Sequence, residues 1–272
     1  MADEAGKTRS APLVANATGV DAYAPAEVAG RVEAAGMVKA ALPADKLLVL
    51  AILAGAFIGF GAAFYTVAVS DPGLGFGPTR LLGGLAFSLG LVLVVVAGAE
   101  LFTGNALIVM AWADRRVTTG ALARNWVLSF VGNAAGAVGL AVAVWLTGLL
   151  VAGPAHDTAV RIAEAKMALP FVEAFVRGIL CNVLVCLAVW LCFAARSVTD
   201  KILAIVFPIT AFVALGFEHS IANLYLLPVG LLAGAEGGVA GLVGNLVPVT
   251  LGNIVGGAGG VAAVYWVIYL RK

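Results

Sequence analysis

Gly98-Ala99-Glu100-Leu101-Phe102-Thr103-Gly104-Asn105 and Gly216-Phe217-Glu218-His219-Ser220-Ile221-Ala222-Asn223 decide the fold of this chain. Each places a glutamate and an asparagine inside an otherwise apolar run, and both fit G-x-E-x-x-x-x-N. The first is followed, 34 residues after its leading glycine, by Gly132-Asn133-Ala134-Ala135-Gly136. The second is followed, after 36 residues, by Gly252-Asn253-Ile254-Val255-Gly256. Two motifs in one order at nearly one spacing mark an internal repeat, and interrupted apolar helices in repeated halves point to a solute path.

The surroundings of these stretches are lipid-like. Of the 272 residues, 62% are hydrophobic and 11% charged, with a mean hydropathy of +1.06. Soluble domains carry about a quarter charged residues, so the chain needs a lipid bilayer as solvent. Apolar runs of about 20 residues can span it as helices. They occur at 47–70, 81–99 (resuming from Gly104 to Ala113), 125–152, 178–195, 202–217 (resuming from Ser220 to Leu227) and 237–270. The expected fold is therefore all-α, with six transmembrane helices in two repeats of three, about 46–152 and 170–272. Three is odd, so the second copy enters from the opposite side and the repeats are inverted, with helices 2 and 5 interrupted.

Basic residues set the orientation. Twelve lie on the side of both termini, and four (Arg80, Arg161, Lys166, Arg177) lie on the other. Cytoplasmic N- and C-termini in a cell membrane are expected. Residues 1–45 carry ten charged residues and no early apolar stretch, which reads as a cytoplasmic tail rather than a cleaved signal. Within it, residues 25–42 read as a short helix, lying on the interface or solvated. Residues 46–272 are the membrane domain.

Several functions are disfavoured. A net charge of +1 gives no reason for a nucleic-acid partner. Cys181, Cys186 and Cys192 are spaced around one helix and read as packing residues. His156 sits in a loop away from His219, which leaves no metal cluster, and Gly73-Leu74-Gly75-Phe76-Gly77 lacks the context of a dinucleotide site. No cofactor is expected, and no nucleophile accompanies Glu218 and His219 to suggest an enzyme. A water- or glycerol-type channel would carry paired Asn-Pro-Ala stretches, which are absent.

Glu100, Glu218 and His219 are ionisable residues deep in apolar sequence, where they commonly face a path or a protein interior. The two glutamates hold equivalent positions and are expected to pin the breaks, accepting hydrogen bonds from freed backbone N–H groups and from asparagines such as Asn133 and Asn253. A proton-relay role is the alternative. His219 stands where the first repeat has Leu101, which makes it the leading functional candidate. Burial disfavours a charged imidazolium, and a nearby carboxylate or anion favours it.

From about Leu42 onward the chain resembles the formate/nitrite transporter family. The resemblance is carried by Phe87-Ser88-Leu89-Gly90-Leu91, the Gly98–Asn105 and Gly216–Asn223 stretches, Cys181–Trp190 and Pro248–Gly256. It implies an aquaporin-like homopentamer with one pore per protomer, passing a small anion: formate first, with nitrite or hydrosulfide as alternatives, and protons as a possible companion. It also implies that the central histidine falls on His219, its threonine partner on Thr103 and a pore-lining asparagine on Asn182. Support behind the histidine falls on Glu218, Asn223 and Asn253, and apolar constrictions on Phe87, Leu91, Leu101, Phe102, Val185 and Phe212. Lys166 matches a lysine that draws anions into a vestibule.

Overall fold

In a computed structural model, residues 22–271 can be described, and they are mostly helical, with no strand among them. The charges of residues 1–21 lie outside the described residues. Helix α1 spans Pro25–Ala40, α2 Ala44–Ala68 and α3 Phe76–Val92; α3 runs on as a π-helical turn over Leu93–Gly98. After the first break a 3-10 turn (Gly104–Ile108) leads into α4 (Val109–Ala113), followed by α5 (Thr119–Leu146) and α6 (Pro154–Met167). Then come α7 (Phe171–Ala194), α8 (Val198–Ala214), the second break and α9 (Ser220–Leu232). Helix α10 (Gly238–Ile254) passes through a π-helical stretch, Val255–Ala263, into α11 (Val264–Tyr269).

Five helical stretches are long and apolar enough to cross a membrane: Ala44–Ala68, Phe76–Gly98, Thr119–Leu146, Phe171–Ala194 and Gly238–Tyr269. Helix α8, in the expected fifth span, has 17 residues, short of the ~20 that an upright span needs. Many of the outward side chains, such as Phe60, Phe64, Phe207 and Val239, are large, apolar and exposed, which suits lipid or another chain rather than water.

Glycine sets how closely the helices meet. A Cβ on Gly136 would overlap the carbonyl of Ile52, and one on Gly55 the carbonyl of Asn133, so α2 and α5 touch backbone to backbone. Helices α7 and α10 repeat the arrangement. A Cβ on Gly252 would overlap the carbonyl of Phe175, and one on Gly256 that of Ile179. Small residues permit this approach where apolar lipid supplies no hydrophobic drive.

Two helices depart from the sequence reading. The apolar side of α1 (Val28, Ala29, Val32, Gly36, Ala40) is buried, packed on the 3-10 turn, α4 and α7; what it covers is protein. Helix α6 stands in what reads as a loop, and His156 lies on it. Its signals were present: Pro154 in the first turn, Asp157 near the positive end of the helix dipole and Lys166 near the negative end.

Replacing Gly136 with alanine is expected to push α2 and α5 apart and cost about 1–3 kcal/mol, read as a lower thermal midpoint in detergent. Gly139→Ala, whose methyl meets nothing within 4 Å, is expected to leave the midpoint in place. Equal stability of the two variants would remove close approach as the reason for Gly136.

Candidate functional site at two helix breaks

Each break begins with a glycine in the left-handed region, Gly98 at φ +86° and Gly216 at φ +72°, a conformation glycine adopts without a Cβ penalty. The chain then runs extended and leaves backbone groups without helical partners, which is costly in an apolar interior unless something satisfies them. Partners are supplied in matching sets. The Glu100 N–H donates to the Leu50 carbonyl at 3.2 Å, and the Glu218 N–H to the Arg177 carbonyl at 3.3 Å.

One asparagine then closes each break. The Phe102 N–H donates to Asn133 Oδ1 at 2.9 Å, while Asn133 Nδ2 donates to the carbonyls of Ala51 (2.7 Å) and Glu100 (2.9 Å). At the second break the Ser220 N–H donates to Asn253 Oδ1 at 2.9 Å, and Asn253 Nδ2 donates to the carbonyls of Gly178 (2.8 Å) and Glu218 (2.9 Å). Both asparagines are fully buried.

The glutamates take a different set of partners from the expected one. Neither carboxylate receives a hydrogen bond from Asn133 or Asn253, because those amides are committed to backbone. Glu100 instead accepts from Lys39 Nζ (2.7 Å) and Asn105 Nδ2 (2.9 Å), and Glu218 from Lys166 Nζ (2.8 Å) and Asn223 Nδ2 (2.7 Å). Asn105 also donates to Asn125 Oδ1 at 3.0 Å, and Asn223 to Asn245 Oδ1 at 2.7 Å. Asn125 donates onward to the Lys39 carbonyl at 3.0 Å, and Asn245 to the Lys166 carbonyl at 2.8 Å. A buried charge needs a partner and full hydrogen bonding, and α1 and α6 each bring the cation that supplies it.

Between the breaks lie the groups that have no counterparts. His219 caps the N-terminus of α9: its Nδ1 accepts from the Ala222 N–H at 3.1 Å. An imidazole nitrogen that accepts carries no proton, so in the neutral ring the proton sits on Nε2. That Nε2 lies 3.0 Å from Thr103 Oγ1, in the other break. Asn182 Nδ2 ties the region together by donating to the carbonyls of Thr103 (3.2 Å) and Asn253 (2.6 Å).

Two cavities flank this centre. One, of about 360 Å³, is lined by Phe87, Phe212, His219 and four cations: Arg80, Arg161, Lys166 and Arg177. The other, of about 430 Å³, is lined by Leu91, Leu101, Glu100, Lys39 and Lys201, among mostly apolar residues. Helix α3 reaches the first with Arg80 near its start and the second with Leu91 at its end, so the cavities open at opposite ends of that helix. The Phe87 and Phe212 rings meet edge to face with centroids 5.5 Å apart, and Phe212 stacks on the His219 ring at 6.0 Å.

The expected site residues divide accordingly. His219, Thr103, Phe87 and Phe212 come together. Leu91 and Leu101 face the second cavity. Asn182, Val185 and Phe102 are buried but line neither cavity, and the Phe102 ring packs on Phe130 and Trp126 instead. Lys166 lines the first cavity, but its ammonium is paired with Glu218. His156 is remote on α6, where hydrogen bonding to Asp157 raises its pKa above the ordinary value.

Lys39, Asn105, Asn125 and Asn245 belong to the supporting network and did not figure among the expected site residues. A signal for them exists. Lys39 and Lys166 each stand five residues before the next helix, and Asn125 and Asn245 each stand eight before the break-closing asparagine.

The family described as "Formate/nitrite transporter" matches residues 26–267. The formate channel FocA of Escherichia coli K12 is 42% identical over 274 residues, covering 93% of this chain and 96% of that protein. A probable formate transporter of Methanothermobacter thermautotrophicus is also 42% identical, over 91% of this chain and 97% of its own length. A solved structure described as a pentameric formate channel with formate bound matches at a TM-score of 0.77 with 42% identity, covering 84% of this chain and 98% of that one. An FNT family ion channel matches at 0.83 with 30% identity, over 89% and 98%. These relatives are channels and transporters rather than enzymes, and the apolar helices make this a multi-pass membrane protein. The chain belongs to the formate/nitrite transporter family.

Proposed function

We propose that the chain is a channel for small monovalent anions, formate before nitrite or hydrosulfide, that works as a homopentamer with one path per protomer. The observation that carries this reading is the buried contact of His219 with Thr103, one residue from each break, between two cavities at opposite ends of α3. The formate channels among its relatives favour formate as the substrate, and the pentameric one favours the assembly.

The matching hydrogen-bond sets support two inverted repeats making six crossings, with α3 and α8 each broken and resumed. The pairing of Lys39 with Glu100 and of Lys166 with Glu218 extends each repeat back to α1 and α6. The excess of basic residues on one side supports cytoplasmic termini.

In this mechanism the anion leaves the cation-lined cavity, passes the Phe87–Phe212 pair and sheds water as it does so. Donors that cannot follow it then replace its lost hydration. His219 Nε2–H and the Thr103 hydroxyl are those donors. Neutral His219 is the form this frame favours, because a proton on Nδ1 would turn the cap acceptor toward the Ala222 N–H as a second donor. Hydrogen-bond donation by neutral imidazole is therefore preferred over a resident imidazolium. Proton transfer to the anion, giving formic acid, remains coupled to loss of that cap. Glu100, Glu218, Asn133, Asn253 and Asn223 hold the breaks in place.

Proteoliposomes carrying His219→Ala are expected to take up formate about ten- to a hundredfold more slowly than the parent, the size of one lost hydrogen bond to an ion. Thr103→Val is expected to fall in the same direction by less. Formate uptake by His219→Ala at the parental rate, with an unchanged pH profile, would falsify the role given to the histidine.

Lys166→Met is expected to strand the Glu218 carboxylate and cost on the order of 3 kcal/mol of stability. The Lys166→Met/Glu218→Gln double variant should regain much of that loss. If the single variant melts with the parent in a detergent thermal-shift assay, the ion pair does not hold the break.

A further inference from the structure

The four basic residues on the far side from the termini all line a single cavity, and Glu218 is the only carboxylate among its described lining residues. Glu218 is already paired with Lys166 at 2.8 Å, which cancels that lysine and leaves Arg80, Arg161 and Arg177. Arg161 is occupied in part by Thr158 Oγ1 at 2.8 Å. Arg80 and Arg177 are different. They come from separate helices, α3 and α7, and converge on one backbone glycine.

The point where a Gly216 Cβ would sit lies 3.6 Å and 3.9 Å from the two Nη atoms of Arg80 and 3.9 Å from Nη1 of Arg177. Arg177 Nη1 also donates a long hydrogen bond, 3.4 Å, to the Gly216 carbonyl, and its Nη2 is 3.7 Å from the half-exposed Glu173 carboxylate. Arg80 forms no ion pair among the described residues; its guanidinium lies 5.2 Å from the Phe76 ring. Two like charges thus share a space that exists because residue 216 has no side chain. Glu173 serves only the far side of Arg177, so the Arg80 fork and Arg177 Nη1 meet across this space, where like charges are unfavourable without an anion and a bridging carboxylate fits.

We propose that Arg80 and Arg177 form a carboxylate-binding site over Gly216, where the anion waits at the cavity mouth before it reaches Phe87, Phe212 and His219. The proposal rests on the anion-channel reading above. The site does what the Lys166 side chain, tied to Glu218, is not free to do. It raises the local concentration of the anion and replaces part of its water before the apolar ring. The positive surplus of the cavity adds longer-range steering, which salt screens.

The test is initial formate uptake into proteoliposomes, with formate supplied on the Arg80 side, for the parent, Arg80→Gln/Arg177→Gln and Arg80→Lys/Arg177→Lys. In the glutamine variant the half-saturating formate concentration is expected to rise about three- to tenfold, the scale of a partly solvated ion pair. The lysine variant keeps the charge but not the forks, and should stay well above the parental half-saturation. Full recovery by lysine would overturn the paired-fork site and leave a diffuse positive field. An unchanged half-saturation in both variants, with the parent conducting formate, overturns the site alone. A parent that takes up no formate overturns the channel reading as well.

Discussion

Backbone exposed by a broken helix has no water to turn to inside a membrane, and everything else in this structure follows from meeting that demand twice. The device is the G-N-x-x-G stretch. Gly132 and Gly136 let α5 lie against the α2 backbone, and only at that distance can the Asn133 amide reach the Ala51 carbonyl while holding Phe102 and Glu100 of the break. Gly252, Asn253 and Gly256 do the same for α10, α7 and the second break. Close packing and polar satisfaction are one requirement here: a larger residue at either glycine would carry the asparagine out of reach.

Around each asparagine the Lys–Glu–Asn–Asn set fastens an additional helix to the break. Such pairs add little net stability when buried, since desolvation offsets attraction, yet removing one member is costly. Their effect is on geometry. Lys39 holds α1, and Lys166 holds α6, against the segments that carry Thr103 and His219. A chain that merely needed membrane helices would not have to place two carboxylates in that interior.

Much of this was legible in the sequence, and the reason is spacing. The two glutamates, the four motif asparagines and the glycines recur at fixed offsets, so the breaks and their mutual relation could be read from the letters. The partners of the glutamates were less accessible, because Lys39 and Lys166 lie more than fifty residues from them, on α1, which reads as a short helix on the interface or in solvent, and on α6, which reads as a loop. Asn133 and Asn253 stand beside the breaks in the sequence as well, but which atoms they serve depends on the backbone approach that glycine permits. The convergence of Arg80 and Arg177 on Gly216 was beyond reach altogether, since three separate segments meet there.

The frame is paired, while the centre it holds is not. Leu101 and His219 occupy equivalent places, and so do Thr103 and Ile221, so each break brings to this contact a polar group from a position where the other is apolar. A contact between equivalent residues would have been symmetric and would have treated both cavities alike. Instead the imidazole uses Nδ1 to hold α9 and turns Nε2 to Thr103, beside Phe212 and the arginine-lined cavity, while Leu101 faces the more apolar one. Because one ring both caps a helix and presents the donor, the protonation state of His219 is tied to the geometry of the second break. Charging Nδ1 removes the acceptor that starts α9 and sets a proton against the Ala222 N–H. In the proposed mechanism, any coupling of anion passage to protons therefore works through that cap, and the break is the place where such coupling would be felt.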